Sequence, residues 1–465
     1  MANELWRFSA TELASKIAQR EVSSREVVSD FLERIAAVGP AVNAVVETFP
    51  EATLAWADAA DARQRSGESL GILHGVPFTI KTNIDQEGRA TSEGVEKLKD
   101  LIAPSDAPPV EHMKRAGAIP LGRTNMPDFG LRVNTESSLY GATRNPFDAT
   151  RTAGGSSGGE AAAIATGQSV LGLGNDLGGS LRNPAYCCGI ASIKPSFGRV
   201  PTGNATAPFA PPIGGQLLSV QGVLGRTVAD VRLGLEAVMG SHRMDPVCVD
   251  APLVGPAYPK RIALVPEPSG GSTDPGVAEG VRAAGRALAD AGYDVVEIEP
   301  PMLFEAYLNW SEHVMRDTAL LRPVLDMFMG DGGKAFLDFS NVWDEPQTPE
   351  STLEMHRLRY TVGRAWSGFL TDYAAIVGPT WTQPPFPLGW DVESQENALA
   401  VAEMFRFVCP ANLLGLPAAS VPTGITNGLP VGAQIISRRL REDITLDIAA
   451  DIERALGTFT PIDPR

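Results

Sequence analysis

Cysteine and histidine are scarce in this chain: its 465 residues include four cysteines and five histidines. Cys187 and Cys188 are adjacent and cannot readily bridge one another, and neither Cys248 nor Cys409 completes a CxxC spacing. That usage speaks against a disulfide framework and predicts reduced thiols in a cytoplasmic protein. His74, His112, His242, His313 and His356 are scattered, with neither HxxxH nor HExxH among them, so no metal site is expected. Walker A and dinucleotide glycine fingerprints are also missing, and no cofactor is expected. Positive charge is short, with 39 Lys plus Arg against 55 Asp plus Glu and a formal net charge of −16. Such a surface repels phosphate backbones and anionic lipid, which argues against nucleic-acid and membrane partners. No uninterrupted apolar run approaches the roughly 18 residues that mark a bilayer-spanning helix. The opening MANELWRFSATEL carries Glu4 and Arg7 and no apolar stretch, so no secretory signal is expected.

What is present is the composition of a globular protein, with 43% hydrophobic and 20% charged residues. Ser9-x-x-Glu12 and Ser23-x-x-Glu26 read as capping boxes that open helices, and a third helix is expected over Pro50–Gln64. From Gly71 short apolar runs alternate with helical patterns. Expected strands are Val76–Ile80, Ala118–Leu121, Val170–Leu173, Arg261–Val265, Asp294–Ile298, Ala374–Val377, Ala418–Val421 and Val431–Ile436. Expected helices are Val110–Ala116, Ser157–Gly167, Thr227–Met239, Gly276–Ala291, Arg357–Phe369 and Ala398–Leu414. That alternation predicts an α/β sandwich around a mostly buried sheet. The Pro/Gly-rich stretch Ala207–Gly215 reads as a surface loop. The region Met302–Trp390, with Trp310, Phe328, Phe336, Phe339, Trp343, Trp366, Trp381, Phe386 and Trp390, reads as irregular and as core or the wall of an apolar pocket. No linker divides the chain.

Three segments carry chemistry. Ala153-Gly-Gly-Ser-Ser-Gly-Gly-Glu160 precedes an alanine-rich helix; it reads as a flexible loop with serine caps, or as a backbone that approaches a ligand closely at a helix N-terminus. In Gly174-Asn-Asp-Leu-Gly-Gly-Ser-Leu-Arg182 the amides of Leu177, Gly178, Gly179 and Ser180 suit a nest aimed at one oxygen, as a tetrahedral acyl intermediate requires. Asp176 and Arg182 bracket that serine as a pair that stiffens the turn. Val76-Pro-Phe-Thr-Ile-Lys81 ends an apolar strand on a lysine, where burial lowers the pKa and leaves an amine able to take a proton near pH 7.

Together these segments resemble the amidase signature family, whose pattern is a lysine after a G-[VI]-P-x-x-[VI] strand, then GGSSGG, then D-x-G-G-S-x-R. Here Gly75-Val76-Pro77 leads to Lys81, and Ser180 lies 24 residues after Ser156. Lys194-Pro-Ser-Phe-Gly-Arg199, Gly225-Arg-Thr-Val-Ala-Asp230, Asn412-Leu-Leu-Gly-Leu-Pro417 and Pro430-Val-Gly-Ala-Gln434 extend the likeness over nearly the whole chain. The resemblance implies a single large α/β/α sandwich with a central mixed, twisted sheet covered by helices. It spans residues 1–465 as one domain, with a helical region 1–67, a signature core 68–240 and a remainder 241–465 that completes the sheet and substrate pocket. It implies Ser180 as nucleophile, Ser156 (after a cis, non-proline peptide bond) as proton relay and Lys81 as neutral base. Ser157, Asp176 and Arg182 would support them, and Leu177, Gly178, Gly179 and Ser180 would supply the oxyanion hole. Met126, Gly154 and Gly155 would line the substrate pocket. Thr82 and Asn175 depart from the family, where Asp and Thr are common. The implied reaction is hydrolysis of an amide, anilide or carbamate through an acyl-enzyme, by a protein that is commonly a homodimer. The aromatic C-terminal half suggests an apolar or aryl-bearing small molecule, with urethanase activity among the expectations.

Two other readings compete. Gly154-x-Ser156-x-Gly158 formally fits the nucleophile elbow of an α/β-hydrolase esterase with a later base such as His313 or His356. A tRNA-dependent transamidation subunit would share the signature but needs protein partners.

Overall fold

A computed structural model of the chain describes residues 4–340 and 347–465; Trp343 lies outside them. Both expected capping boxes form. The Ser9 amide donates to Glu12 Oε2 at 2.8 Å while the Glu12 amide donates to Ser9 Oγ at 3.1 Å, opening the Ala10–Ala18 helix. Ser23 and Glu26 open Ser24–Val42 in the same way. The third helix runs Pro50–Ser66.

The described residues form thirteen strands, in chain order β1 (Val45–Thr48), β2 (Pro77–Lys81), β3 (Ile119–Thr124), β4 (Glu136–Ser137), β5 (Gly141–Ala142), β6 (Leu171–Asp176), β7 (Ala191–Lys194), β8 (Val220–Gly225), β9 (Arg261–Leu264), β10 (Asp294–Glu297), β11 (Ala375–Pro379), β12 (Ala418–Thr426) and β13 (Leu429–Ser437). Eleven of them make one sheet in the order β1-β3-β2-β6-β8-β7-β12-β13-β11-β9-β10, and β4 pairs with β5 alone. The sheet is mixed. β3, β2 and β6 run parallel, as do β11, β9 and β10, and the strands between them pair antiparallel. Asn427 and Gly428, at φ 52° and 81°, turn β12 into β13, as an Asn-Gly pair does in a two-residue hairpin.

Helices cover both faces because successive strand residues point to opposite sides. Val223 and Leu224 join different apolar clusters, as do Ile435 and Ile436. On β2 that period sends Phe78 and Ile80 into the larger cluster and turns Thr79 and Lys81 toward the opposite face, where the Gly158–Ala165 helix lies. The position of the lysine is therefore set by strand register.

Three expectations fail locally. Met302–Trp390 is not irregular: it contains the Leu303–Phe328 helix, the Asp331–Ser340 helix and a helix from Pro349 to Asp372 that begins well before Arg357. In the first of these, the buried face includes Leu303, Ala306, Asn309 and His313, so two polar residues interrupt the apolar period. Ala398–Leu414 is two helices, Gln395–Met404 and Pro410–Leu413. Pro410 has no amide to donate, and its ring clashes with the backbone carbonyl four residues earlier, at Arg406, so the helix does not continue through it. β7, β8 and the Glu442–Leu456 helix were not anticipated; in β8, Gly222 and Gly225 dilute the strand signal.

Candidate active site

Lys81 closes β2, a strand buried along its whole length. Its Nζ lies 2.6 Å from Ser156 Oγ and 2.8 Å from Asn175 Oδ1. Asn175 can only accept from the amine, which leaves the nitrogen lone pair free for the Ser156 hydroxyl. Burial drives the Lys81 pKa down to about 7, against the opposing pull of Glu93, Asp176 and Glu160. At neutral pH this environment thus leaves a large share of the amine uncharged against the serine hydroxyl.

The Gly155–Ser156 peptide is cis. A Cβ built on Gly154 would meet Pro184 Cα at 2.7 Å, and one on Gly155 the Val133 carbonyl carbon at 2.6 Å, so close backbone approach explains both glycines. Gly130 is bracketed by the Ser156 hydroxyl and the Met126 methyl, 3.1 and 3.5 Å from its own built Cβ, which places Met126 beside Ser156.

The serine of the second segment comes next to the first through the backbone: the Ser157 amide donates to the Ser180 carbonyl at 3.3 Å. Ser180 is partly exposed, and among the described residues its hydroxyl takes no hydrogen bond. Asp176 accepts from the amides of Gly179 at 2.8 Å and Leu181 at 3.1 Å, and from both forks of Arg182 at 2.9 and 3.0 Å. Burial alone would raise the Asp176 carboxyl, but the Arg182 charge holds it well below the usual carboxylate range. Arg182 also donates to the Val408 carbonyl and to Asn412 and Gln434, and Asn412 returns a bond to Asp176.

Two site expectations need correction. Gly179 is not a free oxyanion donor, because its amide is committed to Asp176 Oδ1. Ser157 does not bond the lysine: its hydroxyl has no partner among the described residues, and Asn175 takes that place. Two further residues were missed. Asn175 carried a signal, since it is one of the positions where the chain departs from the family pattern. Glu93 carried none: it lies only 12 residues past Lys81, but in a loop with no motif that marks it as turning back on the strand end. Its amide donates to the Thr82 carbonyl at 3.3 Å and its carbonyl accepts from Phe129, which brings a carboxyl beside the position where Asp is absent. Burial raises that carboxyl to about 7, with Lys81 opposing the rise.

Among the described residues no imidazole bonds Ser156. His313 Nδ1 lies 2.8 Å from the Asn309 carbonyl and its ring packs on His356, so the esterase reading has no base here. Among the described residues no helix is long and apolar enough to cross a membrane.

The family model for amidases matches residues 26–446. The chain is 41% identical to an indoleacetamide hydrolase of Bradyrhizobium diazoefficiens, over 98% of this chain and 88% of that protein. It is 35% identical to a glutamyl-tRNA(Gln) amidotransferase subunit of Acidothermus cellulolyticus, over 97% and 95%. A solved bacterial aryl acylamidase of the amidase signature family superposes with a TM-score of 0.82 at 26% identity, covering 98% of this chain and 96% of that one. The chain therefore belongs to the amidase family, as an enzyme that hydrolyses amide-type C–N bonds other than peptide bonds.

Proposed function

We propose that Ser180, Ser156 and Lys81 perform this hydrolysis as nucleophile, relay and base. Ser180 Oγ adds to the substrate carbonyl carbon as its proton passes to Ser156 and the Ser156 proton to the neutral Lys81 amine. The C–N bond then breaks, and the leaving nitrogen takes a proton back through Ser156, leaving an acyl ester on Ser180. Water attacks that ester by the same route and releases the acid. The observation that carries the reading is the buried amine held 2.6 Å from the Ser156 hydroxyl. Intact-mass spectrometry after treatment with a fluorophosphonate tests it: one adduct is expected on the native chain and none on Ser180→Ala. An adduct that persists in Ser180→Ala assigns the nucleophile elsewhere.

The substrate we infer is a small amide whose acyl part carries an aromatic ring. Support comes from the 41% identity to an indoleacetamide hydrolase, against 35% to the transamidation subunit. kcat/KM should be greatest for indole-3-acetamide among that amide, an anilide, an aryl carbamate and a primary aliphatic amide. Preference for the aliphatic amide would remove the aryl reading, and preference for the carbamate would restore the urethanase one. The buried, unbridged Cys187, Cys188 and Cys409 support a cytoplasmic location. Sedimentation of the purified chain tests the homodimer.

A further inference from the structure

The nucleophile turn has an alternating pattern of hydrogen bonds. The Gly178–Gly179 peptide is held at both ends, its carbonyl by Asn183 Nδ2 at 3.3 Å and its amide by Asp176 Oδ1 at 2.8 Å. The Ser180–Leu181 peptide is held likewise, by the Ser157 amide at 3.3 Å and Asp176 Oδ2 at 3.1 Å. The two peptides that alternate with these are held at the carbonyl alone. The Gly179 carbonyl accepts from the Asn183 amide at 2.6 Å, and the Leu177 carbonyl accepts from the indole N–H of Trp310 at 2.8 Å. Their amides, Gly178 and Ser180, make no hydrogen bond among the described residues; nor does that of Leu177, at the start of the turn, whose peptide carbonyl accepts from Asn412.

In a trans peptide the N–H points opposite to the C=O, so fixing one fixes the other. One free amide is thus oriented by the first turn of the Arg182–Cys188 helix, a backbone anchor close in sequence. The other is oriented by a single side chain brought from the Leu303–Phe328 helix. Trp310 also closes the space behind it. A Cβ built on Gly178 would clash with Trp310 Cζ2 and lie 2.8 Å from Cη2, so the ring edge rests on the glycine. The indole is partly exposed and packs against two apolar clusters at once, a setting that fixes the ring plane.

We propose that Trp310 is a positioning residue for the oxyanion site: its indole N–H turns the Leu177–Gly178 peptide so that the Gly178 amide, with that of Ser180, faces the developing negative oxygen. This rests on the reading of Ser180 as nucleophile. Preorganised amides are worth most where charge appears only in the transition state, so the effect belongs in kcat.

Trp310→Phe keeps an aromatic ring and removes the donor, and replacement by the isosteric benzothienylalanine removes the N–H at nearly constant volume. For both, kcat should fall about tenfold while KM stays within about twofold, a smaller loss than deleting an oxyanion donor outright. The inhibition constant of a benzyl trifluoromethyl ketone should rise by the same factor as kcat falls, because its serine adduct carries the oxyanion. The thermal midpoint should be unchanged in the benzothienylalanine protein. An unchanged kcat, a loss confined to KM, or an unchanged inhibition constant beside a reduced kcat would each overturn the proposal. Fluorophosphonate labelling of the same variants keeps the two readings apart: Ser180 should still be labelled when Trp310 is changed, whereas an adduct persisting in Ser180→Ala indicts the nucleophile assignment.

Discussion

Lys81 can act as a base only while uncharged, and the same burial that lowers its pKa to about 7 sets the pH at which this happens. The base must be free of its proton, so kcat/KM should rise with pH through a limb near pH 7 and level off above it. Among the acidic groups around the amine, Glu93 acts most strongly to hold its pKa up, followed by Asp176. Glu93→Gln removes that pull, lowers the Lys81 pKa and should move the acid limb to lower pH. A limb that stays in place, measured from pH 5 to 9, would mean that Glu93 does not act on the amine. Lys81→Met should lose about two to four orders of magnitude in kcat, the span general-base catalysis supplies. It should also be no less stable at pH 7 in chemical denaturation. A lysine with a depressed folded pKa binds fewer protons folded than unfolded between about pH 7 and its ordinary value. It therefore weakens the fold in that window, increasingly as pH falls.

The helix that carries the first glycine–serine segment shows a second titration. Glu160, in the first turn of Gly158–Ala165, accepts from Thr124 Oγ1 at 2.7 Å and from Thr79 Oγ1, so this one carboxyl ties the helix to β3 and β2. Burial raises it to about 8. The neutral acid is then the native form at pH 7. A raised carboxyl contributes stability below its unfolded pKa and loses it as pH rises through the folded one. Glu160→Gln, an uncharged isostere, should flatten the fall in unfolding free energy between about pH 4.5 and 8 while retaining activity. A slope equal to that of the native chain would show that Glu160 is ionised in the fold. The capping boxes of the N-terminal helices were legible at this scale because Ser and Glu three apart satisfy the same local amides wherever they occur. The Leu303–Phe328 helix was not legible, because Asn309 and His313 occupy its inner face for tertiary reasons: the Asn309 amide group donates to the Met355 carbonyl on a neighbouring helix.

At the scale of the whole molecule, Arg182 joins the nucleophile turn to distant parts of the chain. It is fully buried, and its partners span Asp176 on β6, the Val408 carbonyl, Asn412 and Gln434 on β13. Removing one partner of a buried pair leaves the other charge uncompensated, which typically costs about 3–5 kcal/mol. Arg182→Met should show a loss of that size in denaturant unfolding, and activity should fall with it because Asp176 also holds the Gly179 and Leu181 amides. A shift under about 1 kcal/mol would show that water replaces the guanidinium.

The sequence by itself determined the three glycine–serine–lysine segments, most strands and the alternation that makes an α/β sandwich. These follow from local rules: strand periodicity, capping chemistry and the residue types an acyl transfer demands. Only the tertiary structure decided that Asn175 and Glu93 stand around the lysine, that Gly179 gives its amide to Asp176, and that Trp310 reaches the turn from the far half of the chain. The reason is geometric. Asn175 reaches the lysine because β6 lies beside β2, Glu93 because its loop folds back on Thr82, and Trp310 because its helix packs on the nucleophile turn, while the Asp176–Gly179 bond needs the turn to close; no residue pattern encodes these approaches.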